Sequence, residues 1–542
     1  MTNLDYLYNP AAAKEILNKN YFVDKKSGFQ VIERGMIFPH KNYPVKGWSL
    51  GGCGVFDSNG KFINHTYESP SAGLTYPTPP PESIQHSSEK VIYLDSFTPT
   101  WGNIISDTIA RLWFLKTNDF KEHFKDCRLV YVPNPQFSKA DNKNFRRLLE
   151  ILEVDFDALH AVTQPTQFDK VIVPDKSFVR SKEHRGKIFT KEYIETVDRV
   201  RNFALKNRTP TSCKRIYYFH GRRQIGEERL AEYFKSKGYE IIQPEKLTLD
   251  EQLNLLINCE SFASAIGSCS HNSIFLSDDT EVILIPRIGN VFTIYQETLN
   301  QVHPLNVTYV DSTVSIFGTT NSILCFVISE QLKRFFGDKW DGYEEDDFKI
   351  FLQYVKNNLK KGNAFNPHVV DYSKSIFQDF MAQLCRREDL ILAYDMPPKW
   401  KEFRQLLSYR THVHAKGWGD SWKSENQISN LVDELLNIQA IKVSFPGHKV
   451  FYSVYYNDEE GWSEEVAAPE IAGTTGKGKP IYGMRVRLDE AGTMAFDILY
   501  RMHKFDGTWT PWAKNGETIY SNGQKLNAVQ IKLEPKTDET RA

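Results

Sequence analysis

Two polar clusters in the middle of the chain carry residue types that grip anions. The first is His220-Gly221-Arg222-Arg223, which follows an apolar run directly. Arginines at the end of a strand can fork onto two phosphate oxygens at once. The next residues, Gln224-Ile225-Gly226-Glu227-Glu228, open a helical pattern whose free N–H groups would form a second anion site. A diphosphate would be held by both; solvated loop charges are the plainer account of Arg222 and Arg223. The second cluster is Gly267-Ser268-Cys269-Ser270-His271-Asn272. Its small residues let a ligand come close to the backbone. Ser268, Ser270, His271 and Asn272 can all donate hydrogen bonds, although His271 reads equally well as a structural histidine or a cap. Cys269 beside His271 does not make a nucleophile pair, because catalytic Cys–His pairs are assembled from distant parts of a sequence.

A third group is Pro244-Glu245-Lys246, where a carboxylate could accept from ribose hydroxyls. Glu251 and Gln252 stand in the first turn of the helical pattern that follows, and Glu251 is also explained as a partner of the helix dipole.

These clusters need a frame to hold them. Four short apolar runs, Arg215–His220, Glu240–Pro244, Ser261–Gly267 and Glu281–Pro286, alternate with the helical patterns Glu227–Lys237 and Leu249–Asn258. That alternation predicts a parallel α/β sheet with its ligand outside the carboxyl ends of the strands. A second unit of the same kind precedes it. Its strands are Val91–Asp95, Arg128–Pro133 and Lys170–Pro174, and its helices are Ile104–Leu115, Lys143–Leu152 and Lys191–Lys206. Residues 1–90 are turn-rich and read as a cap or first β-layer. Helical patterns at Ser329–Phe336, Glu345–Lys361 and Ser373–Arg387 are amphipathic and must pack back on the two units.

The last 135 residues repeat internally. Tyr409-Arg410-Thr411-His412 is followed by Trp418, Tyr452 by Trp462, and Tyr500-Arg501-Met502-His503 by Trp509. Each unit closes on a β-type run: Leu436–Val443, Ile481–Leu488 and Leu526–Leu533. Three copies at one period predict a β-module closed around a pseudo-threefold axis, a β-prism or a β-trefoil. Its repeated tryptophans are expected in the core of the module, with a sugar-stacking surface as the alternative. The whole reading is four segments: 1–205, 206–330, 331–400 and 401–536.

Bulk properties narrow the function classes. The chain has 542 residues and a formal net charge of −1, so no general attraction to nucleic acid or anionic lipid is expected. Seven scattered cysteines with no C-x-x-C pair indicate neither a zinc site nor a disulfide framework. The N-terminus has no signal-peptide pattern and no apolar run is long enough to span a bilayer, so a cytoplasmic protein with at most peripheral membrane contact is expected. No phosphate-binding loop of the Gly-x4-Gly-Lys-Ser/Thr type is present, which disfavours a kinase.

The ordered set of an arginine-rich strand end, Gly226-Glu227, Pro244-Glu245, Glu251-Gln252 and Gly267-x4-Asn272 resembles glycosyltransferase family 61. Trp101-Gly102-Asn103-Ile104-Ile105-Ser106-Asp107 with Arg111-Leu112-Trp113 looks like that family's landmark in the first lobe. Asn103 and Ile266 stand where the family often has histidine. The resemblance covers roughly residues 90–330 and implies an inverting transferase with a GT-B-like pair of Rossmann-type lobes. Under it the donor, a nucleotide-diphosphate sugar, would be bound by Arg222, Arg223, Glu227, Glu245, Lys246, Glu251, Gly267, Ser268, Ser270, His271 and Asn272.

An inverting transfer needs a base for the acceptor hydroxyl and stabilisation of the departing diphosphate. Asp107 is the candidate base and Asp95 the second. With no Asp-x-Asp at a strand end of the second lobe, metal-independent chemistry without a cofactor is expected. The acceptor would be a glycan, lipid-linked or protein species of the cell surface, such as a capsular polysaccharide; oligomers are compatible. The C-terminal Trp/Tyr pattern resembles clostridial hydrophobic-with-Trp repeats, which implies a surface or carbohydrate-associated module. A non-catalytic carbohydrate-binding scaffold with a degenerate transferase fold is the alternative, and Asn103 and Ile266 are its support.

Overall fold

The structure is a computed structural model. It describes residues 2–7, 10–40, 53–63, 65–66, 84–134, 136–137, 142–181, 183–184, 186–221, 224–287, 294–317, 323–361, 380, 383–384, 387–394, 407–418, 423–424, 426–430, 432–445, 448–468 and 470–536. Two compact units divide the chain. One comprises Met1–Arg222, Glu227–Pro286 and Phe292–Val310; the other comprises Arg223–Gly226, Arg287–Val291 and Asp311–Ala542.

The first unit holds two sheets and a hairpin. In chain order its strands are β1 (Thr2–Tyr6), β2 (Phe29–Glu33), β3 (Met36–Phe38), β4 (Gly54–Phe56), β5 (Gln85–Phe97), β6 (Arg128–Pro133), β7 (His160–Ala161), β8 (Thr166–Pro174), β9 (Phe178–Ser181), β10 (Gly186–Phe189), β11 (Arg215–Tyr218), β12 (Glu240–Ile242), β13 (Ser261–Ala265), β14 (Glu281–Ile285) and β15 (Asn306–Val310). The sheet in the order β4-β3-β8-β5-β6-β7, with β2 also paired to β8, is mixed. Strands β8, β5, β6 and β7 run parallel, and β2, β3 and β4 are antiparallel to their neighbours. The other sheet, β1-β15-β14-β13-β11-β12, is parallel throughout. β9 and β10 form a separate antiparallel hairpin.

Parallel strands must be covered on both faces, and the residue pattern of β5 does this. Val91 and Tyr93 enter a cluster with Val130, Val132, Val171 and Val173. Ile92 and Leu94 enter the large core with Ile216, Phe262, Val282 and Leu284 of the second sheet. The helix Leu249–Asn258 shows why such elements form where they do. Thr248 and Glu251 make a reciprocal capping box at its start, and Leu249, Leu253, Leu256 and Ile257 bury one stripe.

Two features depart from the sequence reading. The chain's first strand, Thr2–Tyr6, pairs with Asn306–Val310 and so completes the edge of the second sheet. The helix after β5 begins at Trp101, not Ile104, and is irregular: a wide-turned stretch over Ile104–Thr108 and a tight-turned one over Ile109–Lys116. Side-chain competition for its carbonyls accounts for the widening, because Ser106 Oγ donates back to Gly102 O at 2.9 Å and Tyr193 Oη donates to Ile105 O at 2.7 Å. The helical pattern Ser373–Arg387 falls mostly outside the described residues. The helices Glu330–Phe335 and Glu345–Lys360 belong to the second compact unit.

The second unit also contains the repeats. Each is an antiparallel pair of long strands: Ser408–Val413 with Ile438–Ser444, Val450–Tyr455 with Gly483–Leu488, and Phe496–Lys504 with Leu526–Pro535. Short segments tie each pair to the next. Ala472–Gly473 adds to the first pair and Ile519–Tyr520 to the second. Asn426 N and Ser429 N donate to Ile531 O and Val529 O of the third, at 2.8 and 3.0 Å, which closes the cycle. The strand-rich expectation therefore holds. The core residues are not those expected. Tyr409, Tyr452 and Tyr500 are fully buried, and each hydroxyl donates to a carbonyl at the following turn, of Gln427, Glu470 and Glu517. Trp418, Trp462 and Trp509 are only half-buried. A tyrosine can put its ring in the core and its hydroxyl on the backbone, which suits this place better than an indole.

Candidate functional site

Both sheets of the first unit change direction at one strand. In the parallel sheet the chain goes from β11 out to β12, then returns to β13 on the other side of β11. A crevice at the carboxyl ends of such a pair is where open α/β sheets bind ligands. The two clusters singled out in the sequence flank it: His220-Gly221 follows β11 and Gly267–Asn272 follows β13. In the mixed sheet the switch lies between β5 and β8. Asp95 stands near the end of β5, and Lys176 two residues past the end of β8.

The β5/β8 end is a network of charges. Asp95 is buried and its carboxylate accepts from Arg111 Nε and Lys176 Nζ, both at 3.0 Å. Arg111 also donates to the carbonyls of Pro174 and His65, so each of its three nitrogens is engaged. Asp95 has φ +120°, and the β5/β6 register shifts beside it. Such a backbone costs free energy and is held only where its surroundings demand it. Asp107 lies on the wide-turned helix, its side chain 24% exposed. It accepts from Lys187 Nζ at 2.6 Å, from Ser106 Oγ at 3.1 Å, and has Lys176 Nζ at 3.8 Å. Burial pushes its carboxyl up, but Lys187, Lys176 and the hydrogen bonds outweigh burial, so it lies below the usual carboxylate range. Lys176, Lys187 and Tyr295 had not been picked out from sequence. A lysine just past Pro174 at a strand end was the one available signal.

The β11/β13 end is built from small and neutral groups. Ser270 Oγ is buried and bonded within its own loop and to Gln296 Oε1 at 2.6 Å, so it braces the turn. Asn272 is buried too; Trp101 Nε1 donates to its Oδ1 at 2.9 Å, and its amide returns to Cys269 O. Ser268 is half-buried. His271 packs its ring on Tyr295, centroids 4.9 Å apart. His271 and Ser268 approach Gly102 so closely that a Cβ there would sit 2.7 Å from His271 Nδ1 and 3.0 Å from Ser268 Oγ. Trp101-Gly102, which follows β5, therefore meets the loop that follows β13, and the two switch points share one junction.

The remaining candidates separate from this junction. Glu227 is buried and accepts from His220 N at 3.1 Å, pinning the loop between them. Glu251 is spent on its capping box with Thr248. Glu245 and Lys246 are exposed on a single tight turn. Arg222 and Arg223 lie outside the described residues. A cavity of about 490 Å³ lies elsewhere, lined by Thr2, Leu4, Lys14 and Glu297 among others. Burial raises the Glu297 carboxyl to about 8. That cavity sits on the β1 edge, away from both strand-end crevices, and topology favours the crevices.

Two strand-end switch points, brought together at Trp101-Gly102, mark the first unit as an α/β structure of the kind that binds ligands at such points. Residues 101–283 match the family model described as Glycosyltransferase 61, so the family resemblance read from the ordered motifs holds over that span, which is less than half of the chain. The match supports a glycosyltransferase. No curated protein matches the chain. Among the described residues no helix is long and apolar enough to cross a membrane.

Proposed function

We propose that the chain transfers a sugar from a nucleotide-diphosphate sugar to a glycan, lipid-linked or protein acceptor, with inversion and without a divalent cation, using a GT-B-like pair of lobes. The observation that carries this reading is the family-61 span itself. It starts at Trp101, beside the charged crevice, and runs through Gly267–Asn272 at the other, and Trp101 Nε1 joins the two through Asn272.

In this mechanism the diphosphate lies over the β11/β13 crevice. Arg222 and Arg223 neutralise it as it departs, with His271 and Ser268 as further donors. The acceptor enters from the β5/β8 side. Asp107 takes the proton of its hydroxyl. Lys187 keeps Asp107 ionised at neutral pH, as a base must be, while lowering its proton affinity. Asp95 acts through Arg111 and Lys176 as a positioning residue. The threefold module, a β-prism or β-trefoil in this reading, accompanies the transferase on a surface glycan.

The test is a panel of nucleotide sugars incubated with the protein, with released UDP, GDP or CDP measured, alongside thermal shifts with each free nucleoside diphosphate. One diphosphate should raise the melting temperature with concentration, because ligands of the native state stabilise by mass action. The sugar nucleotide of that base should be slowly hydrolysed. The absence of both a shift with every nucleoside diphosphate and hydrolysis of every donor would defeat the proposal.

A further inference from the structure

In the repeat module three cross-strand pairs occupy equivalent places, one step from each buried tyrosine. They are Arg410 opposite Lys442, Ser453 opposite Arg485, and Arg501 opposite Gln530. In all three a guanidinium lies over a half-buried tryptophan. Arg410 is 5.1 Å from the ring centroid of Trp418, Arg485 4.8 Å from Trp462, and Arg501 4.4 Å from Trp509 and 4.6 Å from Trp512. The arginine comes from the first strand of its pair in the first and third repeats, and from the second strand in the middle one. The strand that supplies the group changes while the group over the indole does not.

The second and third forks are held by one nitrogen each. Arg485 Nε donates to Ser453 Oγ at 2.6 Å, and Arg501 Nε donates to Gln530 Oε1 at 2.8 Å. The cross-strand partner that lacks the arginine supplies the acceptor. The terminal amino groups of Arg485 and Arg501 meet no carboxylate or carbonyl among the described residues. Both side chains are half-exposed. Beside Arg485 is a cavity of about 290 Å³ lined by Glu465, Arg485, Val486, Arg487 and Gly516. Its one acid, Glu465, is engaged by both Nε and a terminal nitrogen of Arg487. Arg485 is therefore the uncompensated charge on that wall.

A guanidinium fixed through Nε and stacked on an indole keeps its two outer N–H edges in a set plane. That is the geometry for bidentate capture of a carboxylate with little further ordering. We propose that the repeat module binds an acidic polysaccharide, the forks of Arg485 and Arg501 each taking the carboxylate of a uronate-type sugar. Repetition around the module suits a polymer with regularly spaced charges, because linked sites gain effective concentration. The proposal stands apart from the transferase reading and survives its failure.

The test is retardation of the full-length protein in gels containing polygalacturonate, hyaluronate or polysialate. Fully methyl-esterified polygalacturonate, dextran and duplex DNA serve as controls. At least one carboxylate polymer should retard the protein, and esterification should abolish the effect on polygalacturonate if that is the polymer bound. Arg485→Gln with Arg501→Gln should weaken retardation at least tenfold. If the double variant fails to fold, the wild-type chain still decides: retardation by an acidic polymer but not by dextran supports the proposal. No retardation by any of the three, equal retardation by dextran, or equal or tighter binding of DNA overturns it.

Discussion

The two strand-end crevices of the first unit share a topology and differ in substance. The β5/β8 end is crowded with paired charges: Asp95, Asp107, Arg111, Lys176 and Lys187. The β11/β13 end presents glycine, serine, histidine and asparagine, with Ser270 and Asn272 spent on holding the loop. Paired carboxylates and lysines can move and stabilise protons but cannot admit a bulky anion without being parted. Small neutral residues at a strand end can admit one and offer it N–H groups. In the proposed mechanism acid–base work falls to one side and ligand capture to the other, and each half of that proposal can be broken separately.

The largest effect is expected from Asp107→Asn. It keeps the shape and removes the proposed base, so turnover should fall by about 10²–10⁴-fold while nucleoside-diphosphate binding, followed by thermal shift, stays unchanged. Equal loss of both would erase the division of labour between the crevices.

Asp95→Ala comes next. It strands Arg111, whose side chain is 1% exposed, without its counter-charge, and takes from Lys176, 2% exposed, a carboxylate nearer than that of Asp107, which lies at 3.8 Å. Breaking a buried pair this way costs roughly 3–5 kcal/mol, measurable as a shift of the urea midpoint at constant slope. A surface-like change of under ~1 kcal/mol would mean that the network is wet and not structural.

Gly102→Ala attacks the junction. The new methyl would press on the His271 ring, which Tyr295 backs, so the neighbour cannot simply swing aside. Overpacking of this kind costs about 1–3 kcal/mol, and displaced donors should raise the KM for the sugar nucleotide more than they lower kcat. A kcat effect alone would place Gly102 on the charged side of the comparison.

The parallel α/β order of residues 215–285 was legible because short apolar runs alternate with helical patterns. The polar clusters at the ends of β11 and β13 were legible because they interrupt those runs. Thr2–Tyr6 was not: TNLDY has no strand signature, and only the exposed edge of β15 gives it a place. The irregular helix at Asp107 was hidden for a similar reason, since tyrosines from distant parts of the chain take its carbonyls. In the repeats the period was visible and the core was not. A sequence shows that Tyr and Trp recur, but which ring is buried depends on Tyr hydroxyls finding backbone carbonyls 17 or 18 residues on.

Lys187→Met refines the charged side. Without that ammonium, burial is opposed only by Lys176 and Ser106, so the Asp107 carboxyl must rise. A base works only when deprotonated; the acid limb of kcat/KM should therefore move to higher pH, with the alkaline plateau retained. An unmoved limb would show that another group carries the profile.

The smallest expected effect concerns Glu251, which was counted among the donor-binding residues on resemblance. Its carboxylate accepts from Thr248 N and Oγ1 at 2.8 and 2.7 Å, and Thr248 Oγ1 accepts from Glu251 N at 3.3 Å. These bonds keep the carboxylate ionised and turned toward its own helix start. If capping is its whole role, Thr248→Ala should cost about 1 kcal/mol of stability and leave donor affinity alone, because the side chain it frees never reached the crevice. If the donor's ribose uses Glu251, freeing it from Thr248 should change the KM for the sugar nucleotide beyond what lost stability explains. Only that second result would enlarge the neutral crevice to include a carboxylate, and it would blur the contrast between the two ends of the unit.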